Sequence, residues 1–310
     1  TNIERQFNVE GANKALNAFY WKKCLDQTGV LDVMTQKRRD TWIEQIRELS
    51  TPEFNADSVY PTIQDLFGNQ DKFFNERVEN MFYSLSYSHK TNRPEGFYKR
   101  MIIEHVIDNP YANDYYTNYS KCGYIDDFRS VISSFIKRDM PPRGTTEKDM
   151  YVCMRNFGKW VMFDAGAYRM RVYKKGTCHI EVHPEIAWRL NAILAKMNPN
   201  AIPSQFREPP KKVFKDFELM DRPLPFAVLK HLSLSQNKGK SATSQGKYFY
   251  DISYHDRTND KHINKQIDEI IESIGGVKID GSYVFNYNPI SVIDIIKTTG
   301  CVVDYKSHQF

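Results

Sequence analysis

Cysteine and histidine could create a metal centre at one place in this chain. Cys178, His179 and His183 lie close together in one short segment. In a strand, residues an odd number apart point to opposite faces, so Cys178 and His183 would not share a coordination sphere. A zinc site needs at least three ligands on one side. The pattern therefore predicts structural roles for these residues and no metal site.

Carboxylates around residues 251–262 could instead support metal-dependent hydrolysis. Asp251, Asp256 and Asp260 surround the end of a predicted strand, with His262 close by. A metal-dependent nuclease needs clustered carboxylates and a group that activates water. The same spacing is typical of a solvated strand-to-helix loop in which Asp260 begins the helix. A nuclease stays an alternative here, and no catalytic residue is assigned.

The nucleotide-binding and nucleophile motifs are missing. The sequence contains no G-x-G-x-x-G fingerprint, no Walker loop and no G-x-S-x-G elbow. Gly275-Gly276 reads as the stop of a helix. No cofactor is therefore expected to bind this chain.

Positive charge on a predicted β-hairpin forms the main candidate site. Arg169 and Arg171 alternate along one strand, and Lys174 and Lys175 precede Gly176 in the turn. Cations on one face and at the tip of a two-stranded ribbon can lie against phosphates or enter a major groove. A second basic segment, rich in serine and glycine, supplies two further cations. We predict that DNA is bound by Arg169, Arg171, Lys174, Lys175, Lys238 and Lys240.

Helices are predicted to dominate the chain up to residue 200. Apolar residues recur at intervals of three and four, which is typical of helices with one buried face. The predicted helices span residues 13–25, 40–49, 62–67, 70–85, 97–107 and 126–136. Strict alternation then predicts the β-hairpin over 167–183, and Pro184 stands at a natural first position of a helix over 184–197. Residues 1–200 are expected to form a helical domain that contains this hairpin.

A smaller α+β domain is predicted for residues 216–310, after a linker at 201–215 that contains Pro203, Pro209 and Pro210. Its predicted helices span 224–234, 261–274 and 289–298, with a strand over 248–254 and a hairpin that joins 277–279 to 283–287. Residues 236–247 are expected to form a loop. The fold class predicted for the whole chain is α+β.

Composition indicates a folded protein of the reducing cytoplasm. The 310 residues are 41% hydrophobic and 14% aromatic, enough for a sizeable core. The net charge of +5 permits a nucleic-acid partner without requiring one. The five cysteines are scattered and show no C-x-x-C pair. No apolar run approaches the length of a membrane span, and no signal peptide is apparent.

Several short segments together resemble one family. The chain is similar to the uncharacterised domain that precedes class I S-adenosylmethionine-dependent DNA methyltransferase domains in phage and plasmid genes. The segments that carry this resemblance are 19–22, 90–92, the hairpin 169–179, 200–207, 222–229 and the closing residues 306–310. Their order and spacing along most of the chain indicate the family better than any one of them.

The resemblance implies a non-catalytic role. The chain ends at Phe310 soon after a predicted helix, and Ser307-His308-Gln309-Phe310 resembles the lead-in to a methyltransferase domain. That downstream domain would hold S-adenosylmethionine and the catalytic motif. The first hypothesis is therefore a DNA-binding module that positions an N6-adenine DNA methyltransferase. The alternative is a protein-interaction module for a defence factor or the methyltransferase half, suggested by the tyrosine-rich loop at 111–119.

Overall fold

The fold is mixed α+β, as predicted. A computed structural model describes residues 8–86, 89, 92, 95–97, 100–108, 116–199, 202–211, 217–237 and 246–303. Within these residues the strands form three antiparallel sheets, two of four strands and one of two. No helix in these ranges is long and apolar enough to span a bilayer.

Helices fill the first part of the chain. They are α1 (Val9–Thr28), α2 (Val30–Val33), α3 (Gln36–Arg47), α4 (Ala56–Gly68) and α5 (Gln70–Ser86). Local signals set their ends: the Asn8 side chain accepts a hydrogen bond from the Gly11 amide at 2.6 Å, and α1 ends at Gly29, which has φ +67°. The predicted helices 13–25, 40–49, 62–67 and 70–85 correspond to α1, α3, α4 and α5; α1 and α4 are longer than predicted, α3 begins and ends earlier, and α5 agrees within one residue.

A four-stranded sheet with helices on its inner face forms the centre of the molecule. The strands are β1 (Arg100–Ile103), β4 (Val161–Phe163), β5 (Tyr168–Val172) and β6 (Cys178–Val182), in the order β1-β6-β5-β4. Strands β2 (Ile107–Asp108) and β3 (Tyr116–Thr117) form the separate two-stranded ladder. The helices are α6 (Tyr119–Ile136), α7 (Thr145–Arg155) and α8 (Pro184–Met197).

The inner face of this sheet belongs to the largest hydrophobic core. Tyr168, Met170 and Val172 alternate inward and are fully buried. Tyr168 stacks on Phe163 at 5.3 Å between ring centroids and meets Phe128 of α6 edge-on at 5.5 Å. These aromatic contacts fix the sheet against α6, so the opposite face of β5 and β6 is turned away from the core.

The last part of the chain builds a second core around the other four-stranded sheet. Its elements are α9 (Phe226–Leu229), β7 (Leu234–Gln236), β8 (Tyr248–Ile252), α10 (Lys261–Ser273), β9 (Val277–Ile279), β10 (Ser282–Phe285) and α11 (Ile290–Thr299). The strand order is β7-β8-β10-β9. Ile271, Ile274 and Ile296 are fully buried in this core. The predicted strand, hairpin and helices from residue 248 onward are confirmed.

Two predicted helices are wrong. Within the range 97–107, Arg100–Ile103 form β1 and Ile107 begins β2, because Met101 and Ile103 alternate into the core and pair with β6. Residues 224–234 are helical only over Phe226–Leu229, and Leu234 begins β7 by pairing with Ile252. In both segments tertiary pairing overrides a short apolar pattern that fits either structure. The prediction also missed α7 and β4.

The two cores meet at a turn that joins β4 to β5. The Asp164 amide donates to the Thr298 carbonyl at 3.0 Å, and the Met220 amide donates to the Ala165 carbonyl at 2.8 Å. Asp164, Ala165 and Gly166 all have positive φ, at 46°, 56° and 75°. We call these contacts, with the arginines described below, the junction. The proposed division at 201–215 stays a prediction, although Ile202 is buried in the first core.

Candidate nucleic-acid interface

The predicted hairpin is present, but it is the middle of a sheet. Strand β1 pairs with β6 on one side, and β4 pairs with β5 on the other. The edges of the hairpin are therefore occupied, and it cannot enter a DNA groove as a free ribbon. What it offers is its outward side, which carries Arg169 and Arg171 beside His179 and Glu181 of β6. We call this side the outer face.

Arg169 is held in place on the outer face. Its Nε and Nη2 groups donate to Glu181 Oε2 at 2.8 and 2.5 Å. Its guanidinium lies 4.8 Å from the ring centroids of both Trp160 and Phe217. Stacking on aromatic rings and pairing with a carboxylate both limit rotamer freedom, so this cation is preorganised rather than mobile.

Arg171 lies one step further along the same strand. Its guanidinium lies 4.5 Å from the ring centroid of Trp160 and 5.4 Å from that of Tyr173. Its Nε is buried and makes no hydrogen bond within the described part of the chain. The guanidinium of Arg171 therefore packs on two aromatic rings, and no carboxylate of the described residues forms an ion pair with it.

His179 is kept neutral by its surroundings. Its ring packs on Tyr173 at 4.8 Å between centroids. Burial, followed by the positive charges of Arg100 and Arg171, lowers the pKa of His179 to about 4. Around neutral pH the positive charge of the outer face therefore comes from arginine and lysine.

The remaining hairpin cations lie at its tip. Lys174 and Lys175 are exposed, and Gly176 with φ +88° closes the turn through its amide, which donates to the Tyr173 carbonyl at 2.9 Å. Neither lysine makes an ion pair within the described residues. Lys238 and Lys240, the other two predicted DNA-binding residues, lie outside the residues that the structure describes.

A cleft of about 930 Å³ opens beside the outer face. Its floor includes Arg169 and Glu181, and its wall includes Trp188 of α8. The full lining is Phe97, Arg100, Ile102, Arg169, Glu181, Val182, Pro184, Ala187, Trp188, Asn191, Gln205, Phe206, Glu208, Pro209, Pro210, Lys211 and Phe217. A cleft of this size with apolar walls and a few polar groups is typical of ligand sites.

One buried amide ties the walls of the cleft together. Asn191 Nδ2 donates to the carbonyls of Phe97 and Phe206, both at 3.1 Å, and Asn191 Oδ1 accepts from the Phe97 amide at 2.6 Å. Because all three bonds leave one side chain of α8, the segments before β1 and after α8 are fixed against the same helix. The cleft is thus formed by residues far apart in sequence.

The metal and nuclease candidates are dispersed. Cys178 is buried on the inner face, His179 lies on the outer face, and His183 Nδ1 accepts from the Glu185 amide at 3.1 Å as the cap of α8. Asp260 caps α10 by accepting from the His262 amide at 2.8 Å. The described part of the chain holds no group of three histidine, cysteine or acidic side chains placed to bind a metal ion.

Sequence reasoning missed the partners of the predicted arginines. Trp160, Glu181 and Phe217, which hold Arg169 in place, are not indicated by the sequence pattern alone. The hairpin turn at 173–177 fixes the register that places Glu181 opposite Arg169. That register could have identified Glu181. No local signal could have identified Phe217, which reaches the sheet from a segment beyond α8.

A family model covers most of the part of the chain just described. The model for Domain of unknown function (DUF4942) matches residues 13–200. The chain belongs to this family. The match includes the sheet β1-β6-β5-β4 and the outer face, and it ends before the cleft residues Gln205, Phe206, 208–211 and Phe217. No curated protein and no solved structure matches the chain. Membership of an uncharacterised family agrees with the resemblance noted from the sequence, whereas the link to methyltransferases remains a prediction.

Proposed function

We propose that this chain is a non-catalytic DNA-binding module that positions an N6-adenine DNA methyltransferase on its target. The observation that carries the proposal is the density of cations on the outer face and at the hairpin tip. Arg169, Arg171, Lys174 and Lys175 fall within one hairpin, and Arg100 lies opposite Glu181 on the neighbouring strand. Phosphate oxygens are the ligands that such a surface fits best.

The charge balance of the outer face favours an anionic partner. Glu181 engages one edge of Arg169, while Lys174, Lys175 and Arg171 have no carboxylate within salt-bridge distance among the described residues. Arginines resting on Trp160 and Tyr173 present a flat, amphipathic surface. Nucleic acid combines phosphates with aromatic bases, so both properties of this surface would be used.

The methyltransferase part of the proposal rests on the resemblance alone. It places S-adenosylmethionine and the catalytic motif in a separate domain, so this chain would bind no cofactor. Lys238 and Lys240 would add to the phosphate contacts. The chain would act on DNA in the reducing cytoplasm.

Salt dependence of DNA binding tests the proposal. A fluorescent duplex is titrated with the protein by anisotropy at several salt concentrations between about 50 and 200 mM. Each phosphate contact contributes about −0.9 to the slope of log K against log[salt], so Lys174→Ala/Lys175→Ala should reduce its magnitude by about 2. Lys261→Ala/Lys265→Ala, which removes two exposed lysines of α10, is the matched control and should leave the slope unchanged.

Two results would overturn this proposal. The first is the absence of DNA binding at about 50 mM salt, where electrostatic binding is strongest. The second is an equal decrease in the magnitude of the salt slope in the outer-face and control variants. That result would show that the net charge of the protein attracts DNA without a defined binding surface.

A second candidate function is protein interaction, favoured by an apolar patch on α1. Leu16, Phe19 and Tyr20 are 51%, 51% and 47% exposed. Exposed aromatic side chains of this kind are common at protein interfaces. If this function is correct, Phe19→Ser/Tyr20→Ser should abolish co-purification with a co-expressed methyltransferase half without weakening DNA binding. Unchanged co-purification would remove the candidate.

A further inference from the structure

We propose that the cleft beside the outer face takes up one unpaired nucleobase, so that the protein prefers DNA with an exposed base over fully paired DNA. This inference rests on the proposed DNA-binding function and specifies its ligand. The cleft lies beside the cations proposed to bind phosphate, but its lining also offers aromatic side chains. The cations at the hairpin tip are exposed, whereas the cleft is concave and combines aromatic side chains with charged ones, including Glu181 and Glu208.

The shape of the cleft excludes a duplex. A double helix presents phosphates outward and keeps its base faces stacked inside, so it cannot fill a concave site lined by aromatic side chains. An unpaired base has a flat apolar face and a polar edge, and single-stranded DNA is recognised by stacking such faces on aromatic side chains. Trp188, Phe206 and Phe217 line the cleft and could supply such contacts.

The floor of the cleft offers hydrogen-bonding groups that its internal contacts leave unused. Arg169 donates to Glu181 through Nε and Nη2, and both bonds end on Oε2. Neither Arg169 Nη1 nor Glu181 Oε1 makes a hydrogen bond within the described residues. The two side chains are each 24% exposed. A donor and an acceptor therefore remain side by side, which matches the edge of a base that carries both.

The same pair is unable to move aside easily. Trp160 and Phe217 cover the guanidinium of Arg169 from 4.8 Å each, and Asn191 fixes the backbone of Phe97 and Phe206 around the cleft. A preorganised donor and acceptor in a rigid site lose little entropy when a ligand binds. Arg100 and Lys211 also line the cleft, and we propose that they pair with the phosphates on either side of the inserted base.

The test compares three forms of one labelled oligonucleotide: single-stranded, fully paired, and paired with one bulged base. At a single salt concentration we expect the single-stranded and bulged forms to bind about tenfold more tightly than the paired form, since stacking of one base accounts for such a difference. With 5-iodouracil at the bulged position, irradiation should attach the base to Trp188, Phe206 or Phe217, located by mass spectrometry. The same base placed opposite adenine in the duplex should give no attachment there.

A cleft-filling variant separates the cleft from the cations. Ala187 lines the cleft on α8, so Ala187→Leu should remove the preference for the bulged form and leave the salt slope unchanged. Ala192→Leu adds the same volume to the same helix away from the cleft and should keep the preference. If Ala187→Leu fails to fold, the crosslinking of the unaltered protein still decides the matter.

The outcomes distinguish the two proposals. Equal binding of all three oligonucleotides, with crosslinks outside the cleft, would overturn base uptake while leaving DNA binding intact. Absence of binding to any form at low salt would overturn the proposed function, and base uptake with it.

Discussion

Two of the arginine clusters in the described part of the chain, one at the junction and one on the outer face, have different surroundings. At the junction, Arg129 is completely buried and donates to Asp164 through Nε at 2.8 Å and Nη2 at 2.9 Å, and to Asp149 through Nη1 at 2.8 Å. Arg138 adds a contact to Asp164 at 3.0 Å and lies 3.4 Å from the ring centroid of Phe226. On the outer face, Arg169 has one carboxylate and Arg171 rests on rings.

The difference separates cations with a structural role from cations that can bind a ligand. Buried charges are tolerated only when carboxylates and hydrogen bonds compensate them, which the junction provides for Arg129. Burial raises the pKa of Asp149, and the neighbouring Arg129 opposes that rise. Arg138 Nη2 of the junction has no hydrogen-bond partner among the described residues, but its side chain is fully buried, whereas the Arg169 side chain on the outer face is 24% exposed. Position in the fold, and not residue type, therefore distinguishes the two clusters.

The largest expected effect is the loss of the junction cation. Arg129→Met would leave Asp164 and Asp149 buried with reduced compensation, which should cost about 3–5 kcal/mol of unfolding free energy. Arg169→Met is the counterpart on the outer face and should cost about 1 kcal/mol, because its ion pair is partly solvated. Urea denaturation followed by circular dichroism measures both. Similar costs for the two variants would contradict the distinction between the clusters.

The second effect concerns the turn that the junction encloses. Gly166 has φ +75°, and a Cβ there would lie 2.2 Å from the Glu218 carbonyl oxygen, so Gly166→Ala should cost about 2–4 kcal/mol. Gly158 has φ +77° with open space around it, so Gly158→Ala should cost only about 1 kcal/mol. Because the two glycines have nearly the same φ, the difference in Tm between the two variants measures the effect of the steric clash alone. Equal decreases in Tm would show that the Glu218 backbone does not pack tightly against Gly166.

Charge on the outer face can also be increased. Glu181→Gln removes the carboxylate that pairs with Arg169, which should lower stability by about 0.5–1 kcal/mol and steepen the salt slope for duplex DNA by about 1. Asp294→Asn, which releases Arg155 from a 2.6 Å ion pair near the junction, should leave the slope as it was. Anisotropy titrations measure both slopes. An unchanged slope in Glu181→Gln would place the DNA elsewhere.

The smallest effect is a pH dependence from His179. Its pKa in the folded protein, about 4, lies below the ordinary value of 6.5, so the unfolded chain takes up a proton first as pH falls. The contribution of neutral His179 to the free energy of unfolding is present above pH 6.5 and is lost as pH falls toward 4. Because the ring is partly exposed, we expect about 1 kcal/mol.

NMR titration of the His179 ring checks this prediction. The pKa should lie well below 6.5, and Arg171→Gln should raise it by removing a neighbouring positive charge. The unfolding free energy of the protein minus that of His179→Gln should fall by about 1 kcal/mol as pH is lowered from 6.5 toward 4. A pKa at or above 6.5 would contradict the environment described for the outer face.

Much of the fold could be predicted from the sequence where one local signal dominates. Alternation over 168–182 and Pro184 at the start of α8 gave the hairpin and its helix, and Gly29 and Gly300 mark helix ends with positive φ. Residues 97–107 are predicted as helix, because short apolar runs fit either period. Only pairing with β6 decides that segment.

The candidate site was predicted less completely than the fold. Arg169 and Arg171 are two residues apart in a predicted strand, so it was predictable that their side chains lie on the same face of the sheet. The cleft was not, because Phe97 and Phe206 come together through the buried amide of Asn191, and the other lining residues come from segments far apart in sequence. The alternating pattern of the hairpin also does not indicate that β1 pairs with one of its edges and β4 with the other.

The most direct test of the two-cluster account compares an outer-face arginine with an exposed arginine outside both clusters, by the salt dependence of DNA binding. Arg171→Gln removes an outer-face cation, and Arg155→Gln removes an exposed cation of α7 that is paired with Asp294. The account predicts that Arg171→Gln reduces the magnitude of the slope by about 1 and that Arg155→Gln leaves it unchanged. An unchanged slope in Arg171→Gln, or an equal loss in both variants, would contradict it.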